Sequence, residues 1–332
     1  MKRIIEESKL LITGGAGFIG SNLVEHFLLD DRIALVRVLD NLSNGYFENI
    51  QEFVNHPKFE FIEGDIRDYE TCLKACNGID KISHQAALGS VPRSIENPMK
   101  SAEVNILGTV NLMHAAVQNK VQRIVLAFSS STYGDHPDLP KVEGNIGNPL
   151  SPYAVTKASI EQFADVFGQT YGLDWIGLRY FNVFGPRQNP DNPYAAVIPI
   201  FVKAFLSNKE IIINGDGETS RDFTFVKNVV TINELALFSE DYRASRQTYN
   251  VACSDQITLH EIVTSLEKIS GKRAKVKYRD PRPGDVQHSL ASIEKARTLL
   301  GYQPEVKFQK GLEAVYSWYE KGKIQSSAVS DS

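Results

Sequence analysis

The chain has 332 residues, 42% of them hydrophobic and 23% charged, which suits one large globular domain or two modest ones. Its net charge of −4 argues against a broad footprint for nucleic acid or an anionic membrane. No apolar run reaches the length of a membrane span, and Met1–Lys9 lacks the apolar stretch of a secretion signal, so a cytoplasmic chain is expected.

The first predicted strand, Leu10–Thr13, runs straight into Gly14-Gly15-Ala16-Gly17-Phe18-Ile19-Gly20. A helix over Ile19–Leu29 follows, with Ile19, Leu23, Phe27 and Leu28 on the face turned to a sheet. Glycines in such a turn let the backbone approach a pyrophosphate at a helix N-terminus, where free N–H groups and the dipole favour anions. Two registers fit, Gly14/Gly17/Gly20 and Gly15/Gly17/Gly20. The next strand, Ala34–Asp40, ends on an acid about 20 residues further on, as a dinucleotide site requires. Asp40 is expected to accept the adenosine ribose hydroxyls and repel a 2′-phosphate, which favours NAD over NADP, although Arg37 in the same strand points the other way.

Further strands are predicted over Phe59–Glu63, Lys81–His84, Arg123–Ser129 and Trp175–Tyr180, and helices over Tyr69–Cys76, Asn105–Asn119 and Tyr153–Tyr171. This alternation implies an α/β fold with a Rossmann-like, doubly wound parallel sheet. Cys72 and Cys76 share a helix face, but neither they nor Cys253 find partners for a metal site, so reduced, half-buried thiols and no metal are expected. Ser129-Ser130-Ser131-Thr132 closes a strand at the edge where such folds present reactive groups. Tyr153 and Lys157, four apart at a helix start introduced by Ser151-Pro152, face the same way. A tyrosine near its reference pKa of about 10 is a poor base, and a neighbouring ammonium, helped by a nicotinamide's positive charge, is expected to stabilise its phenolate.

After Phe184 the texture changes: Pro186, Pro190, Pro193 and Pro199 cluster, then comes the turn Asn214-Gly215-Asp216-Gly217. Helices are predicted over Leu259–Ile269 and Ser292–Leu300, with Pro281–Gly284 between them. Residues 1–184 thus form the main nucleotide-binding part, 185–325 a smaller α/β substrate lobe, and 326–332 a polar tail expected to be disordered.

These motifs together resemble the extended short-chain dehydrogenase/reductase family, and within it the sugar-nucleotide epimerases, from Lys9 to about Tyr319. The likeness is carried by Thr13–Gly20, Asp40–Ser43, Gly64–Ile66, His84–Ala87, Ser129–Asp135, Pro152–Lys157 and Arg179–Asn182. Gly89–Ser94, Ser151–Lys157, Tyr194–Pro199, Gly215–Phe223 and Gly284–Leu290 are most similar to the UDP-N-acetylglucosamine 4-epimerase group. The resemblance implies the first glycine register and NAD held by Gly14, Gly17, Phe18, Ile19, Gly20, Asp40, Asn41, Ser43, Gln85 and Ala86. It places Asp65 and Ile66 beside the adenine, and Tyr180 and Val183 near the nicotinamide, with Tyr153 and Lys157. UDP falls to Asn182, Arg221, Arg282 and Asp285, guanidinium forks matching phosphate oxygens. Gly89, Ser90, Val197, Ser289 and the serine run border the substrate.

The small Ser289, where relatives with restricted pockets carry a bulky side chain, and Gly89-Ser90 leave room for an N-acetyl group. The serine run is one residue shorter than in galactose-type epimerases, which makes Ser129 the implied catalytic hydroxyl, with Ser130 and Ser131 as alternatives. The implied reaction inverts C4 of a UDP-sugar: Tyr153 takes the 4-hydroxyl proton, NAD takes and returns a hydride, and the 4-keto sugar turns over in between. A homodimer through Asn105–Asn119 and Tyr153–Tyr171 is implied too. A 4,6-dehydratase would carry Asp-Glu at Ser130-Ser131. A uronic-acid substrate would need Arg93, Ser94 or Ser289 to meet its carboxylate, and a non-catalytic NAD-binding regulator would not need the intact pair.

Overall fold

Apolar runs bounded by turns build the central layer of the computed structural model, which describes residues 7–191, 194–281 and 287–326. In chain order, the first part comprises β1 (Ser8–Thr13), α1 (Phe18–Leu28), β2 (Ile33–Asp40), β3 (Phe59–Glu63), α2 (Tyr69–Cys76) and β4 (Lys81–His84). Then come α3 (Val91–Glu96), α4 (Pro98–Ala102), α5 (Gly108–Gln118), β5 (Arg123–Ser129), α6 (Pro152–Tyr171) and β6 (Trp175–Tyr180). The strands fall within two residues of their expected bounds. The helix expected from Asn105 enters through a π turn at Glu103–Leu107 and becomes α-helical only at Gly108.

The second part contains β7 (Val183–Phe184), α7 (Val197–Leu206), β8 (Ile211–Asn214), β9 (Ser220–Arg221), β10 (Thr224–Phe225), α8 (Val226–Phe238) and β11 (Gln247–Val251). It ends with β12 (Ile257–Thr258), α9 (Leu259–Ser270), β13 (Val276–Arg279), α10 (Glu294–Leu300) and α11 (Phe308–Ser326). The tail 327–332, expected to be disordered, lies outside the described residues.

All seven strands of the main sheet run parallel, in the order β11-β6-β5-β4-β1-β2-β3. The chain starts at β1, winds out to β3, then crosses back to β4, so a crevice opens beyond the carboxyl ends of β1 and β4. Side chains alternate across the layer: Leu10 and Ile12 pack with Leu23 and Phe27 of α1, and Leu11 packs with Leu112 of α5 and Ile160 of α6. Of the expected α1 face, Ile19 departs: it is only partly buried and lines the crevice. Beyond Phe184 a third core forms around Phe184, Phe201, Phe223, Phe225 and Phe308, beneath three two-stranded sheets. Residues after 184 also return to the first layer, since β11 pairs with β6 and α8 packs against α1.

The cysteines are buried outright rather than halfway, and all three are free. Burial pushes each thiol up to about 12.

Candidate active site

The crevice is a cleft of about 550 Å³, and every residue expected to touch the cofactor, from Gly14 to Val183, lines it. Gly14 sits at φ 67°, and a Cβ there would lie 2.7 Å from Ala86 N. A Cβ on Gly20 would meet Gly14 O at 2.1 Å. Gly15 instead packs against Val38 and does not line the cleft, so the register is Gly14/Gly17/Gly20. Gly17 caps α1 without any side-chain hydrogen bond, which leaves the first-turn N–H groups for an anion. The loop therefore fits the diphosphate of a dinucleotide.

At the end of β2, Asp40 accepts Ala16 N at 2.9 Å and Leu42 N at 2.8 Å, one on each oxygen. It thus braces the glycine loop and keeps a lone pair on each oxygen for ribose hydroxyls. Burial raises its pKa against these bonds. Arg37 donates to Glu60, Ala75 O and Asn77 O, away from the cleft, so its charge is not offered to a 2′-phosphate. Asn41 donates to Asp65, whose pKa Arg67 holds down at about 2.

The other end of the cleft is set by the start of α6. Ser151 caps the helix through Ala154 N, Pro152 opens it, and Tyr153 N donates to Ser94 Oγ at 3.0 Å. One turn on, Lys157 is 4% exposed and donates to Ala127 O at 2.8 Å. Burial lowers its pKa to about 8, with Glu161 opposing. Burial raises the Tyr153 pKa, and the Ser129 side chain acts to lower it. Within the protein, Lys157 is not among the groups that act on the Tyr153 phenol. The ammonium is engaged with a backbone carbonyl and sits 5.9 Å from the Tyr153 ring centroid.

Ser129 Oγ accepts from Ser131 N and Ser131 Oγ, which leaves its own hydrogen to donate. Ser129 and Ser130 line the cleft, whereas Ser131 stands behind them. Burial pushes the Tyr180 phenol up to about 12, and it donates to Gln85 Oε1 while accepting Asn233 Nδ2. Beneath this end lies His84, whose pKa burial drops to about 3. Thr109 Oγ1 donates to Asn105 O, so it accepts from His84 Nε2, and His84 Nδ1 accepts from Thr13.

The expected substrate residues gather less completely. Gly89, Ser129, Ser130, Tyr153 and Asn182 line the cleft, and nothing lies within 4 Å of a Cβ placed on Gly89. Ser90 caps α3 through Arg93 N, Val197 opens α7, and both stand outside the lining. Arg221 and Ser289 also lie outside it but are neighbours, since Ser289 N donates to Ser220 O and Arg221 donates to Gln287 O. Arg282 and Asp285 lie outside the described residues. Sequence reasoning missed Tyr46, Asn49, Arg187, Gln188 and Asn189 in the cleft wall. Of their neighbourhood only Gly45 carried a signal, because a Cβ there would meet the Ala16 backbone at 2.8 Å.

With this geometry in place, comparisons identify the class. Residues 11–315 match the family model described as GDP-mannose 4,6 dehydratase. The chain belongs to this family of NAD-dependent sugar-nucleotide epimerases and dehydratases, within the extended short-chain dehydrogenase/reductases. The UDP-N-acetylglucosamine 4-epimerase of Methanobrevibacter ruminantium M1, solved with UDP-N-acetylmuramic acid, is similar at 37% identity and TM-score 0.90, over 96% of this chain and 99% of that one. The UDP-glucuronic acid 4-epimerase of Bacillus cereus, solved with UDP-glucuronic acid and NAD, is similar at 33% identity and TM-score 0.88, over 94% and 99%. The UDP-glucose 4-epimerase of Mycolicibacterium smegmatis is 36% identical over 313 residues, 94% of this chain and 98% of that protein.

Proposed function

We propose that the chain catalyses reversible, NAD-dependent C4 epimerisation of a UDP-sugar, and that the sugar pair is UDP-N-acetylglucosamine and UDP-N-acetylgalactosamine. The observation that carries the reading is Tyr153 and Ser129 side by side on the floor of a dinucleotide cleft, with Lys157 one helical turn behind. Held by the glycine loop, Asp40 and Lys157, NAD would supply reversible hydride exchange at C4 and a positive charge near the phenol. Tyr153 moves the 4-hydroxyl proton, Ser129 hydrogen-bonds the reacting oxygen, and Lys157 holds the nicotinamide ribose. Arg221 grips the diphosphate with Asn182, so the sugar can turn about its phosphate linkage between the two hydride transfers.

The N-acetyl preference is supported by the open space at Gly89, the small Ser289, and the likeness to the M. ruminantium enzyme. A uronic-acid sugar is the second reading, on the likeness to the B. cereus enzyme. Against it, Arg93 already donates to Asn44 and lies over the Tyr194 ring. Dehydration is disfavoured because Ser130-Ser131 offer no carboxylates. A homodimer through α5 and α6 is part of the proposal, supported by Leu107 before α5 and by Val155, Phe163 and Val166 along α6, all exposed.

The test is incubation of the NAD-loaded protein with UDP-N-acetylglucosamine, its uronic acid and UDP-glucose in turn, following the anomeric proton by NMR. The galacto product forming fastest from the first supports the proposal. Turnover of the uronic acid alone reassigns the substrate, and no turnover of any sugar overturns the epimerase reading.

A further inference from the structure

Between β7 and α7 the chain leaves the second core and passes along the wall of the cofactor cleft. Its residues 186–191 are tied to the first part of the molecule at several points. Asn22 of α1 donates to Pro186 O at 3.3 Å. Arg187 donates to Glu25 of α1 at 2.7 Å and to Glu52 at 3.0 Å. Asn189 Nδ2 donates to the Tyr46 hydroxyl at 2.6 Å. Behind it, the segment is anchored to the second part, where Tyr319 donates to Gln188 O and Lys203 pairs with Asp191. Arg187, Gln188 and Asn189 all line the cleft, together with the glycine loop and Asp40.

Three features set Arg187 apart from an incidental surface ion pair. Its side chain is only 12% exposed although both partners are more than half exposed, so the guanidinium is held inward while the acids reach over it. It also lies 5.8 Å from the Phe53 ring centroid. Its backbone sits at φ 68°, a left-handed conformation that a long side chain adopts only when its surroundings compensate. The two carboxylates come from separate elements, α1 and the turn after β2. One guanidinium of the cleft wall thus ties the segment to both elements.

We propose that residues 186–191 form a strap across the cofactor cleft, latched by the Arg187–Glu25/Glu52 ion pairs, and that opening this latch limits the release of bound NAD. The strap does no chemistry: Arg187 is a positioning residue, remote from Tyr153 and Lys157 in sequence and element. The inference rests on the cofactor cleft and is independent of which sugar the enzyme turns over. Because the latch is ionic and its acids face solvent, salt weakens it.

The experiment times NAD release from the NAD-loaded full chain, trapping freed NAD with excess NAD glycohydrolase. The Glu25→Gln/Glu52→Gln double variant removes both exposed acids without touching the cleft wall, and release about 5- to 30-fold faster is expected from two such pairs. Arg187→Asn removes the guanidinium with a residue that tolerates the left-handed backbone, and a similar acceleration is expected. Added salt should speed release from the parent protein and leave the double variant unchanged. Parent-like release from the double variant overturns the latch, even where Arg187→Asn releases faster, because Arg187 would then be cleft wall only. Salt-independent release from the parent overturns it as well. Turnover under saturating NAD separates this from the functional reading, since a failed latch leaves turnover intact and a failed epimerase assignment leaves the release rates meaningful.

Discussion

The two ends of the substrate path are made rigid in different ways. At the reacting end, side chains themselves are fixed: Lys157 is clamped on Ala127 O, Ser129 holds two donors from Ser131, and the Tyr153 phenol meets the Ser129 side chain. At the proposed nucleotide-gripping end, the backbone is fixed instead. Residues 287–292 are bonded on one side to Ser220 (Ser220 N to Gln287 O, Ser289 N to Ser220 O) and on the other to Lys141 (Lys141 N to Leu290 O, Ser292 N to Lys141 O). Asp222, fully buried, adds a bond from Ala291 N and another from Cys253 N. A site that holds side chains still suits one reaction. A site framed by its backbone can change its ligand by single substitutions without disturbing the frame.

Substitutions at each end sharpen that contrast. The largest effect belongs to Tyr153→Phe, which is expected to lower kcat by about 10²- to 10⁴-fold with NAD content unchanged. A loss of bound NAD in step with kcat, measured by absorbance after denaturation, would break the assignment.

Next comes Lys157→Met. The folded protein lowers the lysine to about 8 from 10.5 by burial, so the folded state disfavours the ammonium. That penalty, of about 3 kcal/mol, is complete below pH 8 and fades as the pH climbs towards 10.5. The parent should therefore gain thermal stability relative to Lys157→Met across that window, while the variant loses turnover. Parallel Tm-against-pH curves would contradict a lysine whose ammonium is disfavoured by burial.

At the other end, Arg221→Gln is expected to raise the KM for the UDP-sugar about 10- to 100-fold with kcat little changed, as loss of a charged hydrogen bond predicts. An equal fall in kcat instead would move Arg221 into the reacting end. The smallest effect is that of Ser289→Tyr, which should favour non-acetylated over N-acetylated sugars by roughly 10-fold in kcat/KM. Competition between the two UDP-sugars in one tube reads this directly, and an unchanged ratio would remove Ser289 from sugar selection.

The same contrast explains what could be read without coordinates. Strands β1, β2, β4, β5 and β6 are largely buried and, like the edge strand β3, bounded by turns, so their apolar runs stand out, and the glycine loop, Asp40, Tyr153 and Lys157 follow from spacing within single elements. β11 went unseen because Gln247, Thr248 and Asn250 mask a strand that is recognisable only by its pairing with β6. The π turn before α5 leaves no periodicity signal of its own, and α3 and α4 are too short to show one. Arg187 and Tyr46 reach the cleft only through tertiary approach, one across the crossing segment and the other beside the glycine loop. An i, i+4 spacing brings Lys157 near Tyr153 but does not show where its ammonium is engaged, which is at Ala127 O.

The place of β11 at the margin of the main sheet also governs how the molecule can be made. A nascent chain that has emerged only to residue 184 holds β6 with an unpaired edge, and lacks Val229 and Ile232 of α8 on one face of its core. The sheet can close only after residue 251 has left the ribosome, so the first half waits, adhesive, for the second. The segment 1–184 expressed alone should be recovered in inclusion bodies or bound to chaperones, and co-expression with 185–332 should restore it to the soluble fraction.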